Sequence, residues 1–178
     1  MNIQIRETTE KDRKQIYDVE YRAFNEPDEA IFADELLDDP TARPLVSLLA
    51  FDSEQPVGHI LFTKARLENY EKQLSLSILA PLAIVPEYQK KEIGGQLIRA
   101  GLEILKEQQV DLVFVLGHID YYPRHGFKPA LPQGFLPPYP TKKGLEDAWM
   151  AQALSDIRTE DFSGVVKPAE AMDKPEDW

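Results

Sequence analysis

The stretch from Gln89 to Gly95, QKKEIGG, holds the residues whose types and spacing most directly suggest chemistry. It follows the apolar run LAPLAIVP and leads into a segment with helical spacing of apolar residues. A helix that begins here would expose unpaired backbone N–H groups at its N-terminus, where the helix dipole favours negative charge. Gly94 lets a ligand approach the backbone, and Lys90 and Lys91 supply positive charge. The stretch therefore predicts a site for a phosphate or pyrophosphate group.

Two common phosphate-binding motifs are absent from the chain. No GxxxxGK[ST] sequence occurs, and no GxGxxG sequence is followed by an acidic residue about twenty positions on. Nucleotide hydrolysis and dinucleotide redox chemistry are therefore disfavoured.

Pro81 lies inside a segment, QLSLSILAPLAIV (73–85), that otherwise has the composition of a central strand. A proline there removes a ladder hydrogen bond, which indicates a bulge, a strand end, or an edge that splays away from its neighbour. A splayed edge leaves backbone groups free to pair with an extended, amide-bearing chain. Pantetheine is such a chain, and a pyrophosphate lies at its other end. Coenzyme A would therefore fit the strand and the junction together.

The composition predicts one globular domain without cysteine chemistry. The chain has 178 residues, of which 43% are hydrophobic and 29% charged, and it contains no cysteine. Its three histidines lack the HExxH spacing, so no metal site is expected. The N-terminal sequence lacks the apolar region of a signal peptide, and no apolar run is long enough to span a bilayer. A cytoplasmic location without membrane association is therefore expected.

Negative charge is concentrated towards the two ends of the sequence. Residues 7–39 carry twelve acidic and four basic side chains, residues 146–178 carry nine and three, and residues 40–145 carry ten and twelve. A chain with a net charge of −11 is not expected to bind nucleic acid, which requires a basic surface. The distribution fits an anionic ligand held centrally with a cationic one at the flanks, or simply solvated surface helices.

Periodicity assigns the elements that must position these residues. Strands are predicted at 2–6, 45–51, 57–67, 73–85 and 111–117, with another beginning at Phe127. Helices are predicted at about 10–24 and 28–37, and a third follows the junction and ends near Gln108 or Gln109. The last strand–helix–strand unit should place its two strands in parallel. Five prolines within PALPQGFLPPYP indicate an extended ordered loop, because AWMAQAL beyond it can pack back on the core. A single domain over 1–178 is predicted, with 129–178 as an extension packed on it.

Two motifs resemble those of the GNAT superfamily of acyl-CoA-dependent N-acetyltransferases. LAPLAIVPEYQKKEIGGQLI is similar to the family's hydrophobic strand, proline and Q/R-x-x-G-x-G/A loop, with Gln89 at the first position and Gly94 at the last. YYPRHGF is similar to the family's tyrosine four residues before Gly-Phe, here Tyr122 before Gly126 and Phe127. The combination of VLG, YYPRHGF and a late AWM resembles the YhbS-like bacterial branch.

Three residues depart from the family pattern. Glu92 stands where the loop pattern has its first glycine, and it brings a carboxylate to a place where backbone should meet pyrophosphate. Val115 and His118 stand where an Asn and an Ala often precede the tyrosine.

The resemblance implies an α/β (α+β) acyl-CoA N-acyltransferase fold, with a mixed central sheet of about six or seven strands, splayed in the centre and flanked by helices. It implies acetyl-CoA as the acyl donor and transfer to a primary amine by direct attack in a ternary complex, without an acyl-enzyme. The implied cofactor-binding residues are Leu82, Ala83, Ile84, Val85, Gln89, Lys90, Lys91, Glu92, Ile93, Gly94 and Gly95.

The resemblance also assigns candidates to the acyl half of the reaction. The thioester oxygen needs a hydrogen-bond donor as charge develops on it, and the backbone N–H of Ile84 or Val85 is the candidate. The leaving thiolate needs a proton, for which a phenol is suited. Tyr122 is the candidate by its spacing to Gly126-Phe127, with Tyr121 as the alternative.

The amine half needs a base, because an alkylamine arrives protonated at neutral pH. Glu20 on the first helix is the candidate by analogy, and His118 or Asp120 are candidates beside Tyr122. A run of acidic residues between or on the first two helices favours a cationic acceptor, since this family commonly shapes its acceptor site there. Its members are Glu26, Asp28, Glu29, Asp34 and Glu35.

Two other functions remain open at this point. A non-catalytic acyl-CoA-binding module would use the same cleft for sensing or regulation, and Glu92 together with the missing Asn favours it. An interaction protein would use the Pro-rich loop and the acidic tail to bind a partner, without binding CoA. Exposed sheet edges make a homodimer possible in each case.

Overall fold

One mixed β-sheet forms the frame of the protein in the computed structural model, which describes residues 1–178. Its strands lie in the order β1-β2-β3-β4-β5-β8-β6, and the short β7 and β9 pair beside this path. The strands are β1 Ile3–Glu7, β2 Val46–Asp52, β3 Gln55–Leu67, β4 Leu76–Ile84, β5 Leu112–Leu116, β6 Lys128–Pro129, β7 Phe135–Leu136, β8 Trp149–Ala153 and β9 Gly164–Lys167.

Three α-helices cover this sheet: α1 Arg13–Phe24, α2 Asp28–Asp38 and α3 Ile93–Glu107. Gly58 of β3 faces α3, since a Cβ added there would lie 3.1 Å from Leu97. The next residue, His59, contacts Glu20 of α1. Because successive strand residues point to opposite faces, α1 and α3 lie on opposite sides of the sheet. None of the helices is both long and apolar enough to cross a membrane.

The predicted disturbance at Pro81 is a bulge in β4. Ile60 of β3 pairs with Leu82, whereas Phe62 pairs with Leu79, so Ala80 and Pro81 stand opposite a single residue of the partner strand. An extra residue of this kind bends the strand that carries it.

The splay predicted between β4 and β5 is also present. The two strands are parallel, as expected from the strand–helix–strand unit, and they pair only over Leu76–Ile78 and Leu112–Phe114. Beyond the bulge, β4 continues to Ile84 with no strand on the β5 side. The fold therefore opens a gap between these strands, directly before the junction that leads into α3.

The C-terminal third of the chain closes the sheet on the β5 side. β8 pairs antiparallel with both β5 and β6. Trp149 of β8 is fully buried, and its ring stacks on Phe114 at 5.1 Å between centroids. Trp149–Ala153 is thus an internal strand of the sheet, which explains the apolar composition of this segment.

Candidate active site

Two cavities meet at the gap between β4 and β5. The first, which we call the loop cavity, has a volume of about 620 Å³ and is lined largely by residues 82–94 and 118–124. The second, the tail cavity, has a volume of about 730 Å³ and is lined by α1, α2, the bulged part of β4, the end of β5 and residues 172–178. Four residues line both cavities: Phe24, Leu82, His118 and Tyr122.

The loop cavity ends at the N-terminus of α3, where the sequence predicted an anion site. Lys90 and Glu92 have left-handed backbone conformations, with φ of 60° and 63°. This is a region that glycine adopts more easily than other residues, which explains why a glycine is typical of this loop position. Gly94 lies beneath Tyr121, because a Cβ added to it would be 2.4 Å from the Tyr121 hydroxyl.

The predicted cofactor residues divide into two groups. Seven of them line the loop cavity: Leu82, Ile84, Gln89, Lys90, Glu92, Ile93 and Gly94. Ala83 and Val85 do not, since their side chains alternate into the core. Lys91 lies over the ring of Tyr88, and Gly95 is buried beside His125 and Arg99. These four residues therefore do not line the loop cavity, and their predicted contact with a cofactor stays a prediction.

One predicted oxyanion donor is corrected by the strand pairing. The backbone N–H of Val85 donates to the carbonyl of Val57 at 3.0 Å, so it is not free. Because donor directions alternate along a strand, the N–H of Ile84 points away from β3 and towards the gap. The carbonyl of Ile84 accepts a hydrogen bond from the Gln89 side chain at 3.1 Å. Of the two candidates, Ile84 keeps a geometry that fits the role.

Tyr122 is placed at the meeting point by the turn after β5. Its ring lies against Gly117, where an added Cβ would be 2.3 Å from the ring, so only glycine permits this approach. The side chain is 8% exposed, and its pKa is raised well above the usual range by burial and, less, by Tyr121. The phenol therefore stays protonated at neutral pH and keeps a proton to donate.

Tyr121, the alternative to Tyr122, lines only the loop cavity. Its ring packs edge-on against Tyr122 at 5.1 Å and lies near the guanidinium of Arg124. Arg124, which the sequence analysis did not single out, adds a second cation to this cavity beside Lys90. The sequence around Arg124 did not indicate that this residue lines the cavity, because only the turn at 122–125 brings its side chain there.

Of the other two candidates near Tyr122, His118 and Asp120, only His118 lines the cavities. His118 is exposed and lines both cavities. Asp120 lines neither, and its backbone carbonyl accepts a hydrogen bond from Arg124 at 2.9 Å.

Glu20 lies in the core and not on the wall of either cavity, which corrects the expectation of direct contact with an acceptor. It is fully buried, and a hydrogen bond of 2.5 Å joins its Oε1 to Nδ1 of His59. His59 Nε2 is in turn 2.9 Å from the Ser47 hydroxyl, and Glu20 Oε2 has no partner. Burial raises the pKa of Glu20, and the hydrogen bond from His59 opposes this.

The tail cavity has an acidic wall, to which only part of the predicted acidic run contributes. Asp28, Glu29 and Glu35 line it, while Asp34 is paired with Arg13. Glu26 lies outside. The pKa of Glu29 is raised by partial burial and by the neighbouring charges of Glu20 and Asp177, among others. The cavity therefore holds carboxylates that no cation fully neutralises.

The C-terminal residues complete this cavity, which the sequence analysis did not foresee. Met172, Lys174, Glu176, Asp177 and Trp178 all line it. Trp178 donates its indole N–H to the carbonyl of Met172 and packs edge-on against Trp149. Lys174 forms an ion pair with Glu35 at 3.2 Å. Asp177 Oδ2 is buried without a hydrogen-bond partner.

Comparisons with known proteins agree with this arrangement. The family described as Acetyltransferase (GNAT) domain matches residues 4–130. The uncharacterized N-acetyltransferase YjhQ of Escherichia coli (strain K12) is 46% identical over 149 residues, which are 83% of this chain and 82% of the relative.

Two solved structures share the fold over nearly the whole chain. The GNAT family N-acetyltransferase YhbS from Escherichia coli, in complex with CoA, has a TM-score of 0.86 and 26% identity, covering 98% of this chain and 93% of that one. A GNAT family acetyltransferase from Brucella melitensis, in complex with acetyl-CoA, has a TM-score of 0.76 and 26% identity, covering 97% and 99%. The chain therefore belongs to the GNAT family of N-acetyltransferases, in line with the splayed sheet and the loop before α3.

Proposed function

We propose that this protein transfers an acetyl group from acetyl-CoA to a primary amine, by direct attack of the amine within a ternary complex. The observation that carries the proposal is the position of Tyr122, a buried, protonated phenol on the shared wall of two cavities. One cavity has the features of an acyl-CoA site and the other has those of an amine site. A reaction that joins ligands from both would occur beside this hydroxyl.

The loop cavity fits CoA by the chemistry of its own groups. The edge of β4 from Leu82 to Ile84 has no strand partner on the side of the gap, so it can pair with an amide-bearing chain. The first turn of α3, with Lys90 and Arg124 nearby, suits a pyrophosphate. The relatives YhbS and the Brucella melitensis acetyltransferase were solved with CoA and acetyl-CoA. Bound acetyl-CoA would supply a thioester as the acyl donor.

The residues of this chain divide the work of the transfer. The N–H of Ile84 faces the gap and would donate to the thioester oxygen. Tyr122, which is fully protonated at neutral pH, would donate a hydrogen bond to the leaving sulfur and then its proton as the thiolate forms, although its raised pKa opposes complete transfer. His118, exposed on the same wall, stays a candidate for orienting the amine or taking its proton.

The tail cavity supports a cationic acceptor. Its wall combines Asp28, Glu29 and Glu35 with apolar surface from Phe32 and Trp178. A raised pKa brings Glu29 closer to the range in which a carboxylate can accept a proton from an ammonium group. Glu20 would not contact the acceptor. It would act indirectly, because its negative charge helps to raise the pKa of Glu29.

Two measurements test the proposal in sequence. Thermal unfolding is recorded with acetyl-CoA, CoA, ATP and NAD; only the CoA species should raise the melting temperature, by a few degrees, since saturation at a hundred times Kd stabilises by about 2.7 kcal/mol. Release of the CoA thiol is then followed with polyamines, aminoglycosides and lysine peptides, and with neutral and anionic amines. Turnover only with the last two groups would contradict a cationic acceptor.

A non-catalytic acyl-CoA-binding module is the alternative, favoured by Glu92 in the loop. It predicts the same thermal shift with CoA species but no thiol release with any amine.

A further inference from the structure

Glu92 places a carboxylate at the N-terminus of α3, but it does not form the capping hydrogen bond that usually explains an acidic residue at this position. It is the N-cap residue of the helix, yet its side chain accepts no hydrogen bond from the N–H groups that it precedes. Its backbone is left-handed, which costs a residue with a Cβ more than it costs glycine. A structural capping role therefore does not account for this residue.

The side chain of Glu92 lies over the first turn of α3, among cationic and titratable groups. The position that a Cβ on Gly95 would occupy is 3.6 Å from Glu92 Oε2, 3.4 Å from Arg99 Nη1 and 2.9 Å from His125 Cε1. Burial and Arg99 lower the pKa of His125, and Glu92 opposes them. Glu92 also lines the loop cavity itself.

We infer that Glu92 competes with the pyrophosphate of the cofactor for this helix turn and its cations, and thereby sets how tightly the chain holds CoA. The inference rests on the CoA site proposed above. Both the carboxylate and a pyrophosphate favour the positive end of the helix dipole and the charges of Lys90, Arg99 and Arg124. When both are present they repel each other, so the cofactor binds more weakly than the same loop would allow with a neutral residue.

The expected size follows from the charges. Two unit charges about 4 Å apart in water change a binding constant about fivefold, and more where the site is partly dry. Because exposed charges are screened by salt, the effect should shrink as ionic strength rises. Pantetheine lacks the pyrophosphate, so its binding should not depend on the charge at position 92.

The test is isothermal titration of CoA and of pantetheine into the full-length protein and three variants. Glu92→Gln removes the charge and keeps a side chain on the left-handed backbone, whereas Glu92→Gly also removes the backbone cost. Glu103→Gln removes the same charge from an exposed position of the same helix, about 16 Å further along by the helical rise, and controls for net charge.

We expect both Glu92 variants to bind CoA at least about fivefold more tightly than the wild type at low salt, with pantetheine affinity and Glu103→Gln unchanged. Equal or weaker CoA binding by Glu92→Gln would overturn the inference while leaving the CoA site intact. So would an equal gain for pantetheine, because it would show an effect on the fold and not on charge. If neither the wild type nor any variant binds CoA, the proposed function fails together with the inference.

Discussion

The loop cavity and the tail cavity share a wall but are built in opposite ways. The loop cavity takes eight of its fourteen residues from one continuous stretch, Leu82 to Gly94, and offers backbone groups and cations. The tail cavity draws on five separate parts of the chain, from Phe24 to Trp178, and offers carboxylates and aromatic rings. One site suits an anionic ligand and the other a cationic one.

If the proposed assignment of the two cavities holds, this difference would let one fold keep a constant acyl donor while the acceptor varies. Backbone groups and a helix terminus do not depend on side-chain identity, so the loop cavity keeps the groups that suit CoA even where Glu92 weakens its binding. The tail cavity depends on individual side chains, among them Glu29 and Trp178, and changes there should alter the choice of acceptor without affecting CoA. The predictions below test this separation.

Tyr122→Phe should give the largest effect, because it removes the proposed proton donor on the shared wall. We expect the turnover rate to fall by about 10²-fold or more, with CoA affinity and acceptor KM nearly unchanged. Thiol release and isothermal titration measure the two quantities. Tyr121→Phe is the matched control, since it removes the hydroxyl of a neighbour that lines only the loop cavity. An unchanged rate in Tyr122→Phe would remove Tyr122 from the mechanism.

Glu29→Gln should weaken binding of the acceptor in the tail cavity and leave CoA binding in the loop cavity unchanged. The KM for a polyamine acceptor should rise about tenfold through loss of a partly buried charge pair, while CoA affinity stays the same. Since the pKa of Glu29 is raised, the wild type should also lose acceptor affinity as pH falls through that pKa, and the variant should not. Glu26→Gln, in the same acidic run but outside the cavity, is the control. A matching loss of CoA affinity would contradict the separation of the two sites.

Gly117→Ala should disturb both cavities at their common wall. The added Cβ would overlap the Tyr122 ring, so the ring must move or the chain must strain, at a cost of about 1–3 kcal/mol in the free energy of unfolding. Urea unfolding measures this loss, and the thiol assay should show a lower rate in the folded protein. If the free energy of unfolding and the rate of thiol release were both unchanged, activity would not depend on the present position of the Tyr122 ring.

Glu20→Gln should have the smallest effect, which is visible in the pH dependence of stability. Because burial raises its folded pKa, the contribution of Glu20 is present below its unfolded pKa and is lost as pH rises through the folded one. The neutral variant should therefore lose less stability than the wild type over this range, and at neutral pH should be equal to it or about 1 kcal/mol more stable. Urea unfolding between pH 4 and pH 8 measures this difference. Destabilisation at every pH would show that Glu20 and His59 form a favourable ion pair.

Much of the fold and the cofactor loop could be predicted from local patterns. Apolar periodicity located all three α-helices, and the proline in a strand indicated a bulge, a strand end or a splayed edge, of which the structure has the bulge and the splay. The same reasoning could not predict that the N–H of Val85 donates a hydrogen bond to β3, or that the Glu20 side chain is buried in the core against His59. Those outcomes depend on the register of β3 against β4 and on which face of α1 is buried.

The sequence by itself determined the family and the cofactor loop, because the groups that would hold a pyrophosphate are contiguous and their arrangement follows from one strand-to-helix junction. Only the tertiary structure decided the tail cavity, which is the proposed acceptor site. Residues from α2 and from the C-terminal segment, some 150 positions apart in the chain, meet there because the sheet brings them together. The spacing of residues along the sequence does not reveal such contacts. Neither the place of Trp178 in the cavity wall nor the raised pKa of Glu29 could therefore be predicted.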